Sequence, residues 1–147
     1  MMHRCIARSI VPVLSIVVAV ATGCATREGY SGSVKARTVR KTSTDVAGKA
    51  IRYPVGGKPE VTGLLVEIPA GQNTGWHLHP VPCVAYILQG EVTVEDATGT
   101  RRRFSAGDSF AELVNLRHCG FNTGSGPVKL VMFAMGETGT PIVKRFP

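Results

Sequence analysis

From about residue 49 onward, short apolar or alternating stretches recur along the chain, separated by glycine, proline and other turn-forming residues. An alternation of apolar and polar positions is typical of a strand with one buried face. Six strands are predicted in this way, at Val61–Ile68, Val84–Leu88, Glu91–Glu95, Thr100–Phe104, Ser109–Val114 and Val128–Met135. No stretch after Gly23 has helical periodicity, so the pattern predicts an all-β domain, either a sandwich or a barrel.

Residues 1–23 follow a different pattern. Arg4 and Arg8 lie in a start without acidic residues, and residues 10–21 are almost entirely apolar. This apolar run is shorter than the roughly 20 residues that a membrane-spanning helix needs. A basic start followed by a short apolar run predicts a secretory signal peptide over residues 1–23.

The predicted signal peptide is followed by Cys24. The sequence Ala-Thr-Gly-Cys at 21–24 resembles the bacterial lipobox, in which the cysteine is lipidated and becomes the new N-terminus. The alternative is ordinary cleavage, with Cys24 an incidental thiol. Residues 24–47, rich in Ser, Thr, Gly and basic residues, are expected to form a flexible tether. The expected location is the periplasmic side of a bacterial membrane, with a lipid anchor as the only attachment to the membrane.

Composition and charge narrow the function classes. Hydrophobic residues make up 44% of the 147 residues and charged residues 18%, as in a globular protein with a core. The net charge of +7 would fall to +5 with the loss of Arg4 and Arg8. Basic residues alone could suggest nucleic-acid binding, but predicted export argues against that partner, and a small-molecule ligand is expected instead.

Three histidines are the main candidates for chemistry. The chain has four histidines, and His3 lies in the predicted signal peptide. In an extended segment His77 and His79 point to the same face, while Leu78 points to the other. His118 can join them if the strands between fold back through hairpins. Three imidazoles in one place would hold a single divalent metal ion and leave positions open for water or substrate.

Two groups of residues resemble the conserved motifs of the cupin superfamily. The first group is Gly71, His77, Leu78, His79 and Gly90, and the second is Gly107, Asp108, His118 and Asn122. The resemblance covers about Val61–Met135. It implies a cupin-type double-stranded β-helix, or jelly-roll barrel, over residues 48–147, and one divalent metal ion, Fe, Mn, Zn or Ni, on the three histidines.

The chain departs from these motifs at two places. The first motif normally supplies a glutamate ligand at the position of Cys83, and the proline and glycine of the second motif are Leu113 and Asn115 here. Cys83 is interpreted in three ways: a thiolate fourth ligand, a small buried filler, or a disulfide partner of Cys119. The disulfide is disfavoured because Cys119 should face away from the pocket.

Glu112 is the candidate catalytic residue. If its side chain faces the interior, the carboxylate could be the fourth metal ligand or a general base, because a buried carboxylate needs a charge partner and a divalent ion is one. The alternative is an exposed rim acid paired with Arg117 or Arg103.

The sequence therefore predicts a metal-binding cupin-domain protein of the cell envelope that binds a small molecule at a mononuclear three-histidine site. The resemblance implies dioxygenase-type chemistry with iron or manganese, and isomerase-type chemistry with zinc or nickel. The alternative function is a non-catalytic lipoprotein that binds or senses a metal or a small molecule. A homodimer is left open.

Overall fold

A computed structural model describes residues 36–146, which form nine strands in two antiparallel sheets. The strands are β1 (Pro59–Ile68), β2 (His77–Leu78), β3 (Cys83–Gln89), β4 (Glu91–Asp96), β5 (Arg101–Ser105), β6 (Ser109–Ala111), β7 (His118–Phe121), β8 (Val128–Glu137) and β9 (Lys144–Arg145). The predicted all-β class is confirmed. In this part of the chain no helix has the length and apolar character needed to cross a membrane.

The four-stranded sheet has the order β1-β8-β3-β6. Its longest ladder pairs β1 with β8 over ten residues on each strand, from Pro59 opposite Glu137 to Ile68 opposite Val128. Alternate side chains of β8 face the interior, so Met132 is buried while its neighbour Phe133 is half exposed. Burial therefore alternates along β8 as in a sheet with one buried face, although residues 130–135 are all apolar.

The five-stranded sheet has the order β5-β4-β7-β2-β9. The β4–β5 hairpin corresponds to the predicted strands Glu91–Glu95 and Thr100–Phe104, whereas β2, β7 and β9 are absent from the predicted strands. His77, the first residue of β2, pairs with His118 of β7 on one side and with Arg145 of β9 on the other. Strands of two to four residues are too short to produce an alternation that can be recognised in the sequence.

The predicted strand Ser109–Val114 ends earlier, at Ala111. The Glu112 N–H still donates to the Cys83 carbonyl, and the chain then crosses towards His79, whose carbonyl accepts from the Asn115 N–H at 2.8 Å. Asn115 has φ 54°. This left-handed conformation suits glycine and, next best, asparagine, which explains why asparagine can replace the glycine of the resembled motif.

The core lies between the two sheets. Its largest fully buried side chains include Phe110, Ile87, Leu113 and Val92. The ring of Phe104, on β5, stacks on that of Phe110, on β6, with centroids 3.8 Å apart, and so joins the two sheets. Burial of this kind is the main stabilising term of the domain.

A segment before β1 covers the free edge of β6. The Arg40 Nε donates to the Ser109 carbonyl at 2.6 Å, and the Val46 N–H donates to the Ala111 carbonyl at 3.1 Å. Asp45 is buried beside this edge. An exposed strand edge is a site for unwanted pairing, and covering it removes that risk. The last residues of the predicted tether, 24–47, thus overlap with a packed segment, while its first residues, the predicted signal peptide and Cys24 lie outside the described residues.

Candidate metal centre

The fold brings His77, His79 and His118 together. Their ring centroids are separated by 4.4 to 5.3 Å, and one ring nitrogen from each lies within 4.8 Å of the other two. His77 and His118 are direct partners across β2 and β7, and His79 reaches the same point because it is two residues from His77 along the extended chain. The cluster predicted from the sequence is present in the structure.

Backbone carbonyl groups fix the orientation of all three rings. The Nδ1 atoms of His77, His79 and His118 lie 2.8, 2.7 and 2.8 Å from the carbonyl oxygens of Gly75, Ile142 and Leu116, respectively. A carbonyl oxygen can only accept a hydrogen bond, so each Nδ1 carries the proton and donates. Each Nε2 is then left with a free lone pair, which is the arrangement found in histidines that bind metal ions.

Burial keeps the three imidazoles neutral. Loss of hydration lowers the pKa of His79 and of His118 to about 4, and it lowers the pKa of His77 as well. Hydrogen bonds from Nδ1 to carbonyl oxygens oppose the shift without cancelling it. At neutral pH all three side chains therefore offer the uncharged form that coordinates metal ions.

Glu112 lies inside, next to the histidines, and not on the rim. Glu112 is the first residue after β6, and its Oε2 is 3.7 Å from the Nε2 of His118. Both atoms are buried, and neither has a hydrogen-bond partner among the described residues. Burial raises the pKa of Glu112 to about 7 while that of His118 falls, so the two groups do not form a stable ion pair despite the short distance.

Cys83 is buried at the start of β3, where its carbonyl accepts from the Glu112 N–H. Its Sγ donates to the Val81 carbonyl at 3.5 Å. Burial, followed by the nearby charge of Glu112, raises the pKa of the Cys83 thiol to about 12. Cys83 and Cys119 are both free, so no disulfide joins them. Among residues 36–146 the metal-compatible cluster consists of the three histidines, which favours the interpretation of Cys83 as a buried filler.

A cavity of about 190 Å³ adjoins the cluster and extends between the two sheets. Its walls are mostly apolar, with contributions from Leu64, Val66, Ile68, Val92, Val94, Phe110, Leu130 and Met132. Enclosed apolar pockets with a few converging polar groups are typical of small-molecule sites. The cavity is large enough for a compact organic molecule beside the histidines.

Residues 142–146 help to build the site, although no sequence pattern predicts this. Ile142 supplies the carbonyl that orients His79, Val143 and Arg145 line the cavity, and the Phe146 N–H donates to the Trp76 carbonyl. The run Ile-Val-Lys-Arg-Phe at 142–146 does not alternate between apolar and polar residues, so no sequence pattern distinguishes this short strand from a loop.

Comparison with known proteins agrees with this geometry. The family model described as cupin domain matches residues 64–134. No curated protein matches the chain significantly. Among solved structures, an uncharacterised protein with a double-stranded β-helix domain from Klebsiella pneumoniae is 19% identical, with a TM-score of 0.51, over 64% of this chain and 88% of that one.

Two enzymes are among the other similar structures. A DMSP lyase from Ruegeria pomeroyi is 24% identical, with a TM-score of 0.50, over 58% of this chain and 42% of that one. An oxalate decarboxylase from Lactobacillus farciminis, solved with formate, is 22% identical, with a TM-score of 0.50, over 58% and 26%. The chain thus spans less than half the length of the DMSP lyases that it matches.

At these identities the solved structures show the fold alone. Together with the two-sheet topology and the family match, they assign the described part of the chain to the all-β cupin fold. The sequence similarity to the cupin domain family extends over residues 64–134.

Proposed function

We propose that the protein is a metal-dependent cupin that holds one divalent ion on the Nε2 atoms of His77, His79 and His118 and binds a small molecule in the adjoining cavity. The observation that carries the proposal is the pair of buried, unpartnered atoms at its centre, His118 Nε2 and Glu112 Oε2. A buried polar atom without a partner costs about 1–3 kcal/mol. A metal ion would satisfy both atoms, and imidazole nitrogens with a carboxylate suit iron, zinc, nickel or manganese.

Glu112 would supply the carboxylate that the first cupin motif places at Cys83. The two residues are neighbours across β3 and β6, since the Glu112 N–H donates to the Cys83 carbonyl at 2.9 Å. A carboxylate on the adjacent strand can therefore reach the same centre. Its role is that of a fourth ligand or of a general base.

A bound divalent ion would supply Lewis-acid or oxygen-dependent chemistry. The chain's own residues would position and enclose the substrate: the apolar walls exclude water, and the carbonyl-bound Nδ1 atoms keep the rings from turning. Of the described residues that line the cavity, Glu112 is the only acid and so the only carboxylate able to take or hold a substrate proton there. An isomerase-type proton shift needs such a group.

Metal analysis of the protein purified without chelators tests the metal site. We expect close to one transition-metal ion per chain, and loss of most of it in His118→Ala. Ile87→Val is the control, because it removes one methyl group from a buried side chain that does not line the cavity, and it should destabilise the fold slightly without changing metal content. Full metal content in a double variant, His77→Ala with His79→Ala, would contradict the three-histidine site.

A non-catalytic binding protein is the second candidate, favoured by the scarcity of polar side chains in the cavity walls. Incubation of the metal-loaded protein with diols, enols and hydroxy acids, with and without oxygen, separates the two functions. An enzyme converts at least one compound, and Glu112→Gln abolishes the conversion while the compound still binds. Binding without conversion across the panel would support the second candidate.

We also propose that the chain is exported and lipid-anchored at Cys24. The support is the basic, apolar and Ala-Thr-Gly-Cys pattern of residues 1–24. In a bacterial host the protein should fractionate with membranes, and Cys24→Ser should release it into the soluble periplasmic fraction. A wild-type protein found soluble in the periplasm would refute lipidation and leave export in place, whereas a cytoplasmic protein would refute both.

A further inference from the structure

Arg145 stands where the cavity meets solvent. It is exposed as a residue and yet lines the cavity together with the three histidines. Its backbone pairs with His77, and its guanidinium is close enough to the imidazole of His77 for its charge to lower the pKa of that ring. Its Nη1 also lies 3.9 Å from the point that a Cβ on Gly75 would occupy. These contacts place the positive charge beside the histidine cluster.

The charge of Arg145 is not neutralised within residues 36–146. The arginines of β5 offer the comparison: Arg101, Arg102 and Arg103 form ion pairs with Glu95, Asp96 and Glu91, respectively. Arg145 has no such pair in the same part of the chain. A guanidinium with five donors and no acid beside it is suited to an anionic ligand, above all a carboxylate, which it can bind through two hydrogen bonds.

The charges around the cavity favour the same ligand. A divalent ion on the histidines would contribute two positive charges and Arg145 a third, whereas Glu112 is the one acid of the described lining. Like charges that face one small cavity of low polarity repel each other strongly. An anion bound between the metal centre and Arg145 would offset that repulsion, and a neutral molecule would not.

We infer that the cavity takes small carboxylic acids, with the carboxylate directed to Arg145 and the apolar remainder packed against the side chains of the walls. This inference rests on the proposed function, since the metal centre supplies part of the positive charge. The size of the cavity limits the ligand to a compact acid, and its apolar lining favours a short branched or unbranched carbon chain over a sugar acid. Arg145 is thereby a specificity-determining residue and not a catalytic one.

Calorimetric titration with matched probes tests the inference. The probes are isovalerate and 2-hydroxyisovalerate, together with their neutral amides, added to the metal-loaded full-length protein and to two variants. Arg145→Gln removes the charge at the cavity. Lys144→Gln removes a charge from the adjacent residue of β9, whose side chain points to the opposite face of the strand, and is the matched control.

The expected result is equal metal content in all three proteins, and a Kd for at least one of the acids that is roughly tenfold or more weaker in Arg145→Gln alone. Affinity for the amides should be low and the same in all three. Equal acid affinity in Arg145→Gln, or no binding of either acid to the metal-loaded wild type, would overturn the inference and leave the metal centre standing. If the wild type takes up no metal but still binds an acid, and if that binding depends on Arg145, the metal centre is overturned instead.

Discussion

The two sheets differ in the length of their strands and in the side chains that they turn inward. The four-stranded sheet contains the ten-residue ladder between β1 and β8, and its inner face is apolar. The five-stranded sheet supplies the three histidines from β2, the residue that follows it and β7, and it is closed by the two-residue β9. Long regular pairing stabilises the first sheet, while short strands place the polar groups of the second. Stability and chemistry should therefore respond to different substitutions.

The largest expected effect is in the four-stranded sheet. Ile87 is fully buried in β3, on the inner face of that sheet. Ile87→Ala should lower the free energy of unfolding by roughly 2–5 kcal/mol, as large-to-small core changes do, while the folded fraction keeps its metal. Urea unfolding and metal analysis of the folded fraction give the two readouts. Loss of metal in proportion to loss of stability would show that the sheets are not separable in this way.

The next largest effect is expected at β9, an edge strand of the five-stranded sheet. A chain that ends at Thr140 lacks the Ile142 carbonyl that orients His79 and the strand that pairs with His77. Groups that orient metal ligands contribute about 10–100-fold to metal affinity, and we expect a loss of that size in competition with a chelator. Far-ultraviolet circular dichroism of the shortened protein should remain that of a folded β domain. An unchanged affinity would mean that β9 does not position the ligands.

The pH dependence of the metal-free protein tests the buried charges of the site. Unfolded His79 and His118 bind protons near pH 6.5, whereas in the folded state they do so only near pH 4. Because the unfolded state binds more protons across this range, the free energy of unfolding decreases as the pH is lowered. Glu112 has a raised folded pKa of about 7 and opposes the change, because its folded form binds its proton first. The lowered pKa of His77 acts in the same direction as those of His79 and His118, so the histidines together outweigh Glu112 and acidification should lower the free energy of unfolding. Each proton of difference contributes at most roughly 1.4 kcal/mol per pH unit.

Glu112→Gln removes the opposing contribution and should steepen this slope by up to one proton's worth, roughly 1.4 kcal/mol per pH unit. Urea unfolding of both metal-free proteins at several pH values between 4.5 and 6.5 measures it. Stability that increases on acidification would indicate a protonated histidine paired with Glu112 in the folded state.

The smallest effect on the free energy of unfolding is expected at Asn115, in the segment between β6 and β7. Asn115 occupies the left-handed region with φ 54°. Asn115→Gly should change the free energy of unfolding by less than about 0.5 kcal/mol, and Asn115→Ala should lower it by roughly 1 kcal/mol, because a Cβ without a polar side chain disfavours this conformation. Chemical denaturation of the two variants provides the measurement. Equal stability of the alanine variant would show that the crossing is not strained.

The difference between the sheets also explains what the sequence could predict. Val61–Ile68 and Val128–Met135 are long, mostly apolar runs, so hydrophobicity alone predicts them as strands. It does not predict which face of each strand is buried, since Leu65 and Phe133 are exposed. The three histidines were found because two of them share a face and the third completes a known motif. Arg145 and Ile142 were missed because their role depends on pairing with β2, which no local pattern encodes. The position of Glu112 stayed open because a strand end can turn a side chain either way.

Two buried free cysteines have a consequence for how the molecule opens. Cys83 belongs to β3 in the four-stranded sheet, Cys119 belongs to β7 in the five-stranded sheet, and each is 1% exposed. Burial raises the pKa of both thiols, so neither reacts with an alkylating reagent until its strand separates from its neighbours. The labelling rate at each thiol is therefore a measure of the opening of one sheet, obtained without any introduced probe. If the sheet that carries the histidines opens on its own, Cys119 is modified before Cys83, and the site can exchange its contents while the rest of the fold stays closed.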